Sequence, residues 1–292
     1  MTIDVRDPRF ESLIDKTAKL ETVANGFRFT EGPVWYAEQR KLVFSDIPGD
    51  QMHCWEPGAG VNSYRRPSHM ANGNYRDRKG RLLTCEHATC MVTREELDGS
   101  RTVLATHYDG KQLNSPNDII ERRDGKIFFT DPTYGRVAEY GVERPPELTY
   151  RGVYRVDPDG NHLTLLADDF IQPNGLCFSL DEKKIFVNDS ERYHIRLFDL
   201  TPQGDLRNGR VWAETKGEGL GSPDGLKIDS QGNVYCASQG GVHVFDPDAK
   251  CLGVIRVPEE TANFAFGEDD KKTLFITAST SLYKIRLRVP GL

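Results

Sequence analysis

Six polar residues, Glu31, Asn72, Asn117, Asn174, Asp224 and Asn263, each open a stretch of the same kind. A short apolar strand follows, then a polar turn, then a second apolar strand. Two carboxylates and four amides with no apolar member form a set of oxygen donors, and burying them together is costly unless something satisfies them. A hard divalent cation is the natural partner. No His or Cys stands in the set, so calcium, magnesium or manganese suits it better than zinc-like coordination, with iron(II) still admissible.

These residues can act together only if the fold brings them to one place. The copies read EGPVWYAEQRKLVFSD, NGNYRDRKGRLLTCEH, NDIIERRDGKIFFTDP, NGLCFSLDEKKIFVND, DGLKIDSQGNVYCASQ and NFAFGEDDKKTLFITA, with opening residues 41, 45, 57, 50 and 39 positions apart. Such a period, with several short strands and turn signals such as DGK and QGN per unit, is that of a four-stranded propeller blade. Six units predict an all-β, six-bladed β-propeller over 29–292, with 1–28 closing or flanking it. Further strands read as GVYRVDP with HLTLLAD, HIRLFDL with RVWAE, and GVHVFDP with LGVIRVP. Helical periodicity is confined to Phe10–Ala18. The insertion between Asp131 and Arg151, rich in Gly, Pro and charge, is expected to lie as a loop over the site.

The innermost strands of a propeller run along its central channel, so the six opening side chains should converge on the axis. Asn and Asp also form turns, and NG or DG pairs are ordinary hairpin signals. Glu31 is a poor turn former in the same slot, which favours the axial reading. The carboxylates fall in the first and fifth units, nearly opposite on a six-fold ring, and together balance a divalent charge. The ends of the second strands, Asp46, Glu86 with His87, Asp131 through Tyr134, Asn188 with Asp189, Ser238 and Thr277, are expected to give the site polar surroundings.

The 292 residues carry a formal net charge of −6, with 37% hydrophobic and 28% charged residues. That composition suits a globular chain, and the absence of Lys/Arg runs beyond pairs argues against nucleic acid. No apolar run approaches eighteen residues, which excludes a membrane-spanning helix. The opening MTIDVRDPRFESLIDK lacks an apolar signal core, so the expected location is the cytoplasm, or the periplasm if a leader has been removed. Six cysteines without CxxC spacing read as reduced thiols, and the three tryptophans as blade packing. A monomer or weak homo-oligomer is expected.

FTEGPVW with LVFSDIPG, NSPNDI with FFTDPTYG, QPNGLCFS with IFVNDS, and SPDGLKID with VYCAS resemble the family of gluconolactonase, regucalcin (senescence marker protein) and luciferin-regenerating enzyme. The likeness spans roughly Phe29 to Arg286. FTDPTYG and CEH are most similar to the bacterial gluconolactonases. The resemblance implies one divalent cation held by Glu31, Asn174 and Asp224, calcium first, with magnesium, manganese, zinc or iron(II) as alternatives. Asn117 matches the family's substrate-contacting Asn. Where the animal regucalcins carry an Arg two positions before that Asn, Ser115 stands here, which bears on sugar preference.

The reaction implied is metal-dependent hydrolysis of a sugar lactone, an aldono-lactone such as glucono-1,5-lactone, to the aldonic acid. The cation would polarise the carbonyl and activate water. Asp224 is the expected general base, with Asn117 orienting the substrate; alternatively the ion itself lowers the pKa of water and Asp224 only positions it. His87 is a second candidate base. Asn72, Ser115, His87, Tyr134 and Asp189 complete the expected substrate contacts. Rival readings are an organophosphate or other ester hydrolase on the same metal site, and a non-catalytic metal-binding propeller.

Overall fold

Six segments of alternating turn signals and apolar runs fold as six antiparallel sheets arranged in a ring, a six-bladed β-propeller, in a computed structural model that describes residues 2–292. The strands of blades one to four run from the axis outward in sequence order, and those of blades five and six do so up to an outermost strand from the N-terminal segment. In the first, Thr30–Tyr36 is innermost, followed by Lys41–Asp46, Gln51–Glu56 and Gly60–Arg65. The other inner strands are Ala71–Arg76, Ile119–Glu121, Pro173–Phe178, Leu226–Ile228 and Thr261–Gly267.

Burial explains the sequence character of each layer. Second strands such as Leu82–Glu86, Ile127–Asp131 and Val234–Ser238 are buried at every position, because both sheet faces press against neighbouring blades, and they read as continuous apolar runs. The rim strand Leu206–Glu214 is mostly exposed and correspondingly polar. One apolar cluster fills each gap between adjacent blades. Trp35 stacks on Phe275 at 5.4 Å between the first and sixth blades, and Trp212 meets Phe186 and Phe245 between the fourth and fifth.

Where a helix is expected over Phe10–Ala18, only a 3-10 turn, Pro8–Ser12, forms. Phe10, Leu13 and Ile14 are buried between the fifth and sixth blades, so tertiary packing rather than helical periodicity placed the apolar residues. The segment's strands enter two sheets. Ile3–Val5 adds a fifth strand to blade five, and Glu21–Asn25 supplies the outer strand of blade six by pairing with Ser281–Arg286. All six cysteines are free, five of them buried.

The glycine after an opening residue has a structural cause that is not a turn. A Cβ at Gly175 would lie 2.1 Å from the carbonyl oxygen of Asp224, in the next inner strand. One at Gly32 would lie 2.1 Å from the Asn72 carbonyl oxygen, and Gly32 also has a positive φ of 52°. Neighbouring backbones approach here more closely than any side chain permits. Gly175→Ala should therefore cost about 1–3 kcal/mol or more, read as a lower urea midpoint, and an unchanged midpoint would contradict the packing.

Candidate active site

Three opening residues reach the axis by one repeated device. An aspartate at the end of a second strand accepts hydrogen bonds from backbone amides two and three positions before the opening residue. Asp131 takes the Asn114 and Ser115 amides, both at 2.8 Å, ahead of Asn117. Asp189 takes those of Ile171 and Gln172 at 2.9 and 3.1 Å, ahead of Asn174. Asp46 takes those of Arg28 and Phe29, the latter at 3.0 Å, ahead of Glu31.

This corrects two expected substrate contacts. Asp189 is fully buried and occupied by backbone, and it does not line the cavity. Ser115 is also buried; its hydroxyl donates to the Pro132 carbonyl at 2.7 Å and accepts from the Gly135 amide at 2.9 Å. The second-strand ends mostly serve backbone in the same way. Asn188 donates to the Asp224 carbonyl, Ser238 to that of Thr215 at 3.1 Å, and Thr277 to that of Asn263 at 3.0 Å. Of that expected set only His87 and Tyr134 reach the cavity.

The cavity, about 470 Å³ including its open mouth, sits at the head of the tunnel. Five opening residues line it: Glu31, Asn72, Asn117, Asn174 and Asp224. Phe29, Ile47, Tyr134 and Tyr140 form apolar and aromatic walls, and Ser222 and Glu260 complete the lining. The sixth opening residue, Asn263, works from beneath: its Nδ2 donates to Glu31 Oε2 at 3.0 Å. Its Oδ1 accepts from the Phe264 amide at 2.9 Å and from Lys227 Nζ at 3.3 Å. Lys227 lies 3.6 Å from the buried Asp118 carboxylate, lower in the same channel.

Glu31 and Asp224 are not opposite one another. Blade six alone separates their blades, and the two carboxyls lie within hydrogen-bonding reach. Burial first, then the charge of Asp118, raises the Glu31 carboxyl to about 7. Burial and then the nearness of Glu31 push Asp224 well above the ordinary carboxylate range. Two acids this close, Glu31 buried and Asp224 half-buried, call for a proton or a cation between them. Asn174 donates through Nδ2 to Ser190 Oγ at 3.1 Å, which leaves its buried Oδ1 without a partner. Among the described residues no three His, Cys, Asp or Glu side chains cluster in ligand geometry. A cation here would therefore draw on amide oxygen together with two carboxylates, a donor set for a hard ion.

His87 cannot serve as a base. Its Nδ1 lies 2.8 Å from the Tyr140 carbonyl oxygen and its Nε2 lies 3.0 Å from Asn72 Nδ2, so both ring nitrogens are engaged. Burial pushes its pKa down from 6.5 to about 4. Tyr140 and Glu260 gave no signal in the repeat, since both lie outside the six copies. Tyr140 belongs to the insertion after Asp131, whose placement over the site agrees with expectation. Its ring packs on Phe29 at 5.0 Å. This strap is held in place: Arg136 donates to the Asn114 carbonyl at 2.8 Å, and Arg144 to those of His87 and Ala88 at 3.0 and 2.9 Å.

Two measurements check these roles. Asp189→Asn leaves one backbone amide without its acceptor and should destabilise the fold by about 1–3 kcal/mol in urea unfolding. For His87, the unfolded state binds a proton below 6.5 while the folded state resists until about 4. Its contribution to stability is present above 6.5 and is lost as pH falls through that window, by up to about 3 kcal/mol. The wild-type advantage over His87→Gln in unfolding free energy should shrink from pH 7 to pH 4; a constant difference would refute the assignment.

Residues 29–280 match the SMP-30/Gluconolactonase/LRE-like region. The chain is 34% identical to a gluconolactonase of Zymomonas mobilis, covering 97% of this chain and 85% of that protein. It is 26% identical to the pentonolactonase XacC of Haloferax volcanii over 86% of this chain and 82% of the other. A solved gluconolactonase of Xanthomonas campestris superposes with a TM-score of 0.90 at 36% identity, covering 98% of this chain and 95% of that one. With a matching region that takes in the two inner strands of every blade and every residue lining the cavity, the chain belongs to the SMP-30/gluconolactonase/LRE-like family.

Proposed function

We propose that this chain hydrolyses a sugar lactone, an aldono-lactone such as glucono-1,5-lactone, to the aldonic acid, with one divalent cation held by Glu31, Asn174 and Asp224. The single observation that carries the reading is the close pair of acids, Glu31 and Asp224, lining one pocket with the unpartnered Asn174 Oδ1, in a chain with lactonase relatives. Calcium is the first choice, because all the donors are hard oxygens.

When bound, such an ion supplies charge stabilisation for a carbonyl oxygen and acidifies water. The chain's own side chains do the rest. Asn263 fixes the Glu31 carboxylate from below through its amide. Asn117 lines the cavity between Asn72 and Asn174 in blade order and orients the lactone. Asp224 accepts the proton of the water that attacks the carbonyl carbon. The ring C–O bond then breaks, and the ring oxygen takes a proton and leaves as a hydroxyl of the open-chain acid. Phe29, Ile47 and the two tyrosines exclude bulk water from one side of the ring.

The test is a pH-indicator hydrolysis assay on a panel of sugar lactones, using metal-stripped protein and restoring one cation at a time. Turnover should be absent after stripping and return with a hard divalent ion. It should favour gluconolactone or xylonolactone far above a phosphotriester. No turnover of any lactone with any cation would end the enzymatic reading, and a phosphotriester preference would replace it. Asp224→Ala should abolish cation-dependent turnover. Asn263→Ala, which removes a positioning contact to Glu31 together with the acceptor for Lys227 and the Phe264 amide, should retain a measurable fraction.

A further inference from the structure

The strap over the cavity determines the hydrogen-bonding polarity of one wall. The Tyr140 carbonyl can only accept, so the His87 Nδ1 that lies 2.8 Å from it carries the proton. A neutral imidazole protonated at Nδ1 presents a lone pair at Nε2, so the Asn72 group 3.0 Å away is the amide NH2 donating to it. Asn72 Oδ1 is thereby turned away from His87. It is buried and has no partner, in a residue that lines the cavity. A single chain of donors and acceptors runs from strap backbone to cavity wall, and each link fixes the next.

Resting on the lactonase reading, we infer that His87 is a positioning residue which holds Asn72 Oδ1 as an obligatory acceptor for a substrate hydroxyl, so that the site selects hydroxylated lactones over unsubstituted ones. A lactone lacking the hydroxyl leaves that buried oxygen unpaired in the bound state. Sites built to hydrogen-bond a substrate hydroxyl reject the analogue without it far more strongly than apolar pockets reject a missing methylene. The opposite arrangement, with Asn72 turned by half a rotation, would offer NH2 to the substrate and require an acceptor from it. His87 excludes that arrangement for as long as the strap carbonyl holds its Nδ1 proton.

The experiment uses the full chain loaded with the cation that restores activity. It compares kcat/KM for glucono-1,5-lactone with that for δ-valerolactone, which has the same ring and no hydroxyls. His87→Phe and Asn72→Leu should each lower the gluconolactone preference by roughly 10-fold or more. The double variant should lose no more than either single one, because both act on one acceptor. His87→Gln, which keeps a donor and an acceptor, should recover part of the preference. Histidine-labelled wild-type protein should show His87 by 15N NMR as the neutral Nδ1–H tautomer at neutral pH, a readout that needs no turnover and no variant. An Nε2–H tautomer or an imidazolium would overturn the inference. So would a selectivity ratio unchanged in both single variants, or a loss of cation affinity in Asn72→Leu that made it a metal ligand. Wild-type protein inactive on every lactone would instead remove the lactonase reading, and the NMR result would still decide the tautomer.

Discussion

Inner strands that meet at one axis, at three of the six junctions closer than any side chain allows, are the constraint on which this molecule depends. At Gly32, Gly73 and Gly175 the neighbouring strand's carbonyl oxygen sits 2.1 to 2.2 Å from where a Cβ would be, and at Gly225 the Asn263 side chain occupies that space. So tight a ring buries the carbonyls of the opening residues, which need donors. Ser45, Thr130 and Asn188 each donate across to the opening carbonyl of the following blade. With the backbone satisfied by second-strand side chains, the opening side chains are left to face the channel.

That division of labour separates structural from chemical polarity. Asp46, Asp131 and Asp189 are buried like Glu31, yet each has backbone amides to answer. Glu31 has Asn263 on one oxygen, and Asp224 faces another acid. The lining residues include no Lys or Arg. Lys227, whose charge is felt at Glu31, is turned toward Asp118 and Asn263. The channel thus concentrates negative charge at one level and leaves it for something other than the protein to balance.

Much of this was legible in the sequence because the repeat is geometric. Six in-register polar residues before six apolar strands can hardly be anything but blade starts, and the blades follow. The errors have physical causes as well. NG and DG resemble hairpin turns, but Gly73 and Gly175 lie within strands, where close backbone approach is the reason for glycine. Asp189 and Ser115 are polar and close to the opening residues in sequence, yet no pattern says whether such a group faces a cavity or a backbone amide. Tyr140 and Glu260 lie in connections that differ from blade to blade, where periodicity carries no information. His87 was singled out, but its role follows only from knowing which atom each nitrogen meets.

The sixth blade joins segments far apart in the chain, since Glu21–Asn25 completes a sheet whose other strands begin at Thr261. During synthesis that early strand has no hydrogen-bonding partner until Ser281–Arg286 has left the ribosome. For all that time blades one to five grow as an open arc, with an unpaired edge and an unassembled axis. Blades four and five deliver Asn174 and Asp224 long before Glu31 can be locked from the other side by Asn263. Assembly of the pocket is therefore tied to closure of the ring, and a chain stalled before Thr261 holds most parts of the site without the site itself.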